Sequence, residues 1–366
     1  MVRTFFSLLI LFLALVSCKQ DNYRITGRIG GLDEGKVYLL KAETRELVRV
    51  DSTEISGGDF TFTGSVDFPG VYAIEAEGAE RNLIFFLENS EINITADADA
   101  MENGQVTGSS VHDKFVEFTF KESEYDDRIS EIAAELTSLR EEGDQEAFTK
   151  LMEDEYQPLL DEKRVFIKDF VTANPSSYVS PFILYNKLWM SLDVQDKDNM
   201  LSVLEQELER SPFTKTMKDE LETLMRVDVG QRFVDFTMDD PDGNSRSLSA
   251  FTGEGYLLLD FTASWCGPCR SINPAKVELY HDFRDQGFDI VSISLDRSYD
   301  EWVKYIEEDN LEWHHLSDLQ AWNSEAAGIY GVRAIPHSVL IDPDGIIVEK
   351  GLRPDALRER LNELLQ

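Results

Sequence analysis

The sequence predicts a chain of three parts: an N-terminal all-β, sandwich-like domain over residues 23–110, a helical middle region over 112–225, and a C-terminal α/β domain over 229–366. Three observations carry this division. Short apolar and alternating runs recur at regular spacing up to about residue 110, as the strands of a small sheet do. Apolar residues then recur at i, i+3 and i+4, the period of a helix. A buried-strand pattern finally leads into Cys266-Gly267-Pro268-Cys269 and a second helical period. With 366 residues, the chain is long enough to give each domain its own core.

Residues 1–18 come first. Arg3, the apolar stretch Phe5 to Val16 and then Leu15-Val16-Ser17-Cys18 read as a signal peptide ending in a lipobox. The run falls short of the ~20 residues of a membrane-spanning helix. Cys18 is then the lipidated first residue, holding the mature protein to a membrane through acyl chains. The expected location is a bacterial cell envelope, lipid-anchored and facing the periplasm. The outer membrane is preferred, since Lys19 replaces the Asp that commonly retains lipoproteins at the inner one.

The β domain, a small sandwich or partial barrel, is read from Tyr23–Ile29, Lys36–Leu40, Phe60–Phe62, Val71–Ile74, Leu83–Leu87 and Ile92–Ile94, with glycine-containing turns between several of them. Beyond His112, Ile129, Ile132, Ala133 and Leu136 share one helical face, and Phe166, Phe170 and Val171 follow the same spacing. Asn174-Pro175 and Ser211-Pro212 break the region into several helices. The region reads as a helical spacer with a solvated acidic face, or as an arm or substrate cradle for the domain that follows.

Cys266 and Cys269 are the only cysteines besides Cys18. The apolar run Tyr256–Phe261 reads as a buried strand, and helical periodicity starts at Arg270. Cys266 therefore lies at a helix N-terminus, where free N–H groups and the helix dipole favour a thiolate, and is the expected nucleophile. Structural zinc would need four ligands, and no second cysteine pair exists. A c-type haem would need His where Arg270 stands, and a peroxidatic cysteine would need Thr or Ser where Ala263 stands. A redox-active pair is left, with a static disulfide as the plain alternative.

The segments around this motif resemble the thioredoxin superfamily. Leu259-Asp260-Phe261 with Trp265-Cys266-Gly267-Pro268-Cys269 is similar to its active-site strand and turn, Pro274 stands where its helix kinks, and Gly331–Pro336 resembles the segment of its cis-proline. The hairpin pattern Phe236–Leu248, the insertion Asp296–Leu316 and the turn Asp342–Gly345 resemble the TlpA/ResA-like membrane-attached branch. The resemblance implies that Cys266 attacks a substrate disulfide and Cys269 resolves the mixed disulfide. It implies that Asp260, a buried carboxylate among apolar residues, exchanges the Cys269 proton. Pro336 and Ile335 would orient substrate beside Trp265, Gly267 and Pro268. Thr262, Ile272 and His337 depart from the family pattern, and His337 is a candidate for tuning the thiolate.

The function expected is a membrane-anchored disulfide reductase outside the cytoplasm, since Gly-Pro between the cysteines resembles reducing thioredoxins near about −270 mV. No cofactor or metal is expected. The expected partners are disulfide-containing envelope proteins, including those of cytochrome c maturation, and a CcdA/DsbD-like membrane electron donor. The alternative is a partner- or glycan-binding lipoprotein using the same fold as a scaffold. A formal net charge of −35 argues against any nucleic-acid partner.

Overall fold

The structure, a computed structural model, describes residues 22–43 and 46–365. Cys18 and the signal-peptide reading lie outside the described residues. The chain folds as two compact units. The first runs to Ser191 and takes in Asn199–Thr216; the second comprises Leu192–Asp198 and the chain from Met217 onward.

Eight strands open the first unit: β1 (Tyr23–Gly30), β2 (Glu34–Ala42), β3 (Leu47–Ser56), β4 (Asp59–Gly64), β5 (Gly70–Ala76), β6 (Leu83–Leu87), β7 (Glu91–Asp97) and β8 (Gln105–Thr107). Of the sandwich and the partial barrel that the strand pattern allows, the sheet takes the barrel-like form. The strands form one barrel-like sheet of order β6-β5-β2-β3-β4-β1-β7-β8, because β1 pairs antiparallel with β4 and parallel with β7 and so joins the two halves. Alternation marks a strand without saying which strand it pairs with. Every second residue of β1, β4 and β7 faces a single core holding Ile25, Phe62, Ile74, Phe85 and Ile92. Gly27 is required on β1, since a Cβ there would meet the Phe60 ring at 2.0 Å.

Helices follow: α1 (Ser110–Glu142), α2 (Gln145–Leu151), α3 (Gln157–Ala173), α4 (Val179–Ile183), α5 (Val194–Val203) and α6 (Pro212–Arg226). Ser109 caps α1 by accepting the His112 N–H, and Gly143 ends it at φ 76°. The helical region is shared between the two units. Its larger part joins the sheet because β6 is apolar on both faces. Phe85 points into the β core, while the Phe86 ring packs against Phe115 of α1 and Phe182 of α4 at 5.2 and 5.7 Å. Phe118 stacks on Phe166 to hold α1 against α3. The buried Glu122 carboxylate is paired with Lys163 and Lys187.

The second unit contains β9 (Thr237–Asp239), β10 (Ser245–Ser247), β11 (Tyr256–Thr262), α7 (Gly267–Phe283), β12 (Phe288–Ser294), α8 (Tyr299–Glu308), β13 (His314–Ser317), α9 (Glu325–Ile329), β14 (His337–Ile341), β15 (Ile347–Lys350) and α10 (Pro354–Leu364). Its sheet runs β10-β9-β13-β12-β11-β14-β15, with β11, β12 and β13 parallel and the rest antiparallel to their neighbours. β11 is buried on both faces, as the unbroken run Leu257–Phe261 requires. Leu257, Leu259 and Phe261 join one core with Tyr330 of the α9–β14 connection, and Leu258 joins another with Leu279 and Phe283 of α7 and Leu357 and Leu361 of α10. No helix among the described residues is long and apolar enough to cross a membrane.

Candidate active site

The site sits where the central strand β11 ends and α7 begins. Cys266 is the N-cap of α7, extended at φ −84° and ψ 91°, and its Sγ accepts the Cys269 N–H at 3.2 Å. Pro268 stands in the first turn, where a missing N–H costs nothing. This geometry aims free backbone donors at the first sulfur, the arrangement that favours a thiolate. Cys266 and Cys269 are joined as a disulfide with their Cα atoms 5.3 Å apart. Cys266 is 4% exposed and Cys269 0%, so an incoming sulfur reaches Cys266 first. Pro274 lies inside α7.

Of the sequence-derived residues, Ile335 shares a core cluster with this pair, and Trp265, Gly267 and Pro268 flank it in the chain. The Ile335–Pro336 bond is cis, the isomer the resemblance implies, and Ile335 packs on the core cluster that contains both cysteines. Gly267, Pro268 and Pro336 are exposed. Trp265 is 53% exposed, its indole N–H donating to the Leu295 carbonyl at 3.3 Å. His337 lies against the Phe261 ring. Burial, with Lys350 nearby, pushes its pKa down to about 4. That shift favours the neutral imidazole near neutral pH.

Asp260 is buried, but its surroundings are not the apolar ones expected. Its Oδ2 receives Lys276 Nζ at 2.7 Å and the Ser292 hydroxyl at 3.1 Å, and Ser292 in turn accepts the Trp313 indole N–H at 2.8 Å. Both side chains of the ion pair are nearly inaccessible, at 4% and 3%. Lys276 is missing from the site that the sequence predicts, yet the sequence holds a signal for it. Cys269, Asn273, Lys276, Leu279 and Phe283 follow one another at four- and three-residue steps, so the lysine lies on the inward face of α7.

Two further groups escape the sequence. Asp296, just past the end of β12, is 2% exposed and accepts the Ser264 N–H at 3.0 Å, the Ser264 hydroxyl at 2.6 Å and the Ser294 hydroxyl at 2.7 Å. It therefore fixes the loop that presents Trp265. Its place at the C-terminal end of a parallel strand is where sites in such sheets collect. On the other side, Asn273 donates to Tyr305 and Asp309, and Arg270 pairs with Glu308 and Asp309, tying the first turns of α7 to α8. No group of three or more metal-ligating side chains is present among the described residues.

Comparison with known proteins agrees with this chemistry. Residues 229–350 match the AhpC/TSA family, and residues 23–115 match a domain of unknown function, DUF4369. The chain is 36% identical over 121 residues to nucleoredoxin of Xenopus laevis, covering 32% of this chain and 28% of that protein. It is 27% identical over 141 residues to the thiol-disulfide oxidoreductase ResA of Bacillus thuringiensis subsp. konkukian, covering 38% of this chain and 79% of that one. A solved thioredoxin domain of a thiol-disulfide oxidoreductase from Bacteroides vulgatus is 34% identical, with a TM-score of 0.36, covering 38% of this chain and 99% of that domain. Residues 229–350, with a disulfide at the head of α7 and a cis-proline segment, are thus a thioredoxin-like thiol-disulfide oxidoreductase domain of the AhpC/TSA family.

Proposed function

We propose that the chain is a disulfide reductase of the bacterial envelope, held to a membrane through a lipidated Cys18 and acting on disulfides of envelope proteins, those of cytochrome c maturation among them. The observation that carries the reading is the Cys266–Cys269 pair itself, one sulfur reachable and the other fully covered. In the reduced state the Cys266 thiolate attacks a substrate disulfide and displaces one substrate sulfur as a thiolate, which takes a proton. Cys269 loses its proton and attacks Cys266 Sγ, releasing the second substrate sulfur. Two electrons have then passed to the substrate, and the Cys266–Cys269 disulfide remains. Asp260 is the proposed proton acceptor for Cys269, with Lys276 balancing its charge. A membrane electron donor of the CcdA/DsbD type would return the two electrons.

Equilibration of the purified chain against glutathione and dithiothreitol buffers tests the direction of flow. A potential near about −270 mV is expected, and one near about −120 mV would make the protein an oxidase instead.

A second reading, binding of a partner or glycan through the first unit, is favoured by a cavity of about 270 Å³ there, walled by Phe68, Tyr72, Phe86, Tyr178 and Phe213. Full biological function in a Cys266→Ser, Cys269→Ser double variant would select it.

A further inference from the structure

Beside the disulfide lies an open groove of about 580 Å³ that the transfer chemistry does not use. Two indoles form its walls. Trp265 and Trp322 are 53% and 48% exposed, with ring centroids 5.9 Å apart and planes inclined at 56°. Large aromatic rings are costly to leave in water, and a pair of them side by side next to a reactive centre marks a contact surface.

The position of Trp322 is enforced by its backbone. Leu319 and Ala321 adopt left-handed φ values of 55° and 51°, unusual for residues with a Cβ. Asp318 holds this turn by accepting the Gln320 and Glu325 N–H groups at 3.1 and 2.8 Å.

The remaining polar lining holds two carboxylates, Asp296 and Glu301, one guanidinium, Arg297, and the neutral Ser264 and Ser298. Among the described residues the Asp296 carboxylate at the base is bonded to serine donors, so dipoles meet its charge. Glu301 on α8 and Arg297 line the exposed part of the groove. Two carboxylates and one guanidinium leave a net negative slot between two aromatic faces.

We propose that the Trp265–Trp322 groove receives a lysine or arginine side chain adjacent to the disulfide of the substrate polypeptide, so that the domain prefers disulfides in basic surroundings. The apolar stem of such a side chain packs on the indoles while its cation meets their faces and the exposed Glu301 carboxylate, with the buried Asp296 charge attracting it from beneath. A purely apolar side chain would desolvate Glu301 without compensation, and an acidic one would meet like charge. The proposal rests on the reductase reading and names the substrate class for the same site.

The test uses the reduced full chain and two disulfide peptides identical but for Lys or Glu beside the cysteine, with rates followed by loss of chain thiols. The Lys peptide is expected to react about tenfold faster. Trp322→Ala should cut that preference to below about threefold, and Trp322→Phe should keep most of it. Since Trp322 carries no charge, the overall acidity of the chain cannot account for such a change. Glu301→Gln, on an exposed helical turn, should lower the preference about threefold and carries the test should Trp322→Ala fail to fold. Equal rates for both peptides, or a preference untouched by Trp322→Ala and Glu301→Gln, would overturn the groove assignment while leaving the reductase intact. Failure to reduce either peptide or hydroxyethyl disulfide would remove the reductase reading itself, and the groove assignment with it.

Discussion

Substituting Lys276 by Met should destabilise the C-terminal unit far more than losing one surface charge would. The Lys276 Nζ to Asp260 Oδ2 distance is 2.7 Å. With an effective dielectric of about 20, the attraction at that separation is about 6 kcal/mol. Removing each ion from water costs several kcal/mol, so the intact pair is close to neutral in net stability. Deleting one partner keeps the desolvation cost of the other and loses the attraction, which amounts to about 3–5 kcal/mol. Lys276→Met and Asp260→Asn should each lose about that much, whereas the double variant should lose under about 2 kcal/mol. Urea titration followed by tryptophan fluorescence is the assay, since Trp265, Trp302, Trp313 and Trp322 all report on the second unit. A double variant whose loss equals the sum of the two singles would refute the argument, for it would mean that the two charges do not stabilise each other.

Acid should weaken the fold through His315, whose pKa is pushed down to about 4 by burial against Trp313. The unfolded chain takes up that proton near pH 6.5, so stability is complete above that value and falls as pH drops toward 4, by up to about 3 kcal/mol. Denaturant midpoints at pH 7.5 and 4.5 should differ less in His315→Gln than in the native chain. Cys269→Ser should trap a mixed disulfide on Cys266, visible as an added mass removed by dithiothreitol, and Cys266→Ser should trap none. Asp296→Ala removes three hydrogen bonds to a buried carboxylate, and a loss of about 3 kcal/mol is expected, read as a lower thermal midpoint.

The chemistry of the site is legible in the sequence because it is local. Strand, turn and helix from Tyr256 to Phe283 follow one another in sequence, and Cys266 takes its place at the helix start from that order alone. What is not legible depends on residues far apart. Asp260 meets Ser292 from β12, and Trp322 meets Trp265 across more than fifty positions, so neither contact leaves a mark in periodicity. Lys276 is easily overlooked for another reason, since a charged residue on a helix is ordinarily read as solvent-facing. In the N-terminal unit the strands are visible as short alternating runs, but the parallel pairing of β1 with β7 is a choice of partner that no single strand records. Phe86 carries a readable hint, an apolar residue on the face of β6 that alternation would leave polar, and the helices that cover it explain why most of the middle region belongs with the sheet.

The sulfur of Cys266 is also the acceptor that closes the first turn of α7, through the Cys269 N–H. A negatively charged sulfur accepts that bond more strongly than a disulfide sulfur does, so electron transfer and helix closure are two faces of one equilibrium. A thermodynamic cycle follows. The difference in unfolding free energy between the dithiol and disulfide chains equals the displacement of the couple's potential from that of the same dithiol in an unfolded peptide, at about 30 mV for every 1.4 kcal/mol. Two denaturation curves, one per oxidation state, would therefore report how strongly this fold draws electrons, with no redox buffer in the cuvette.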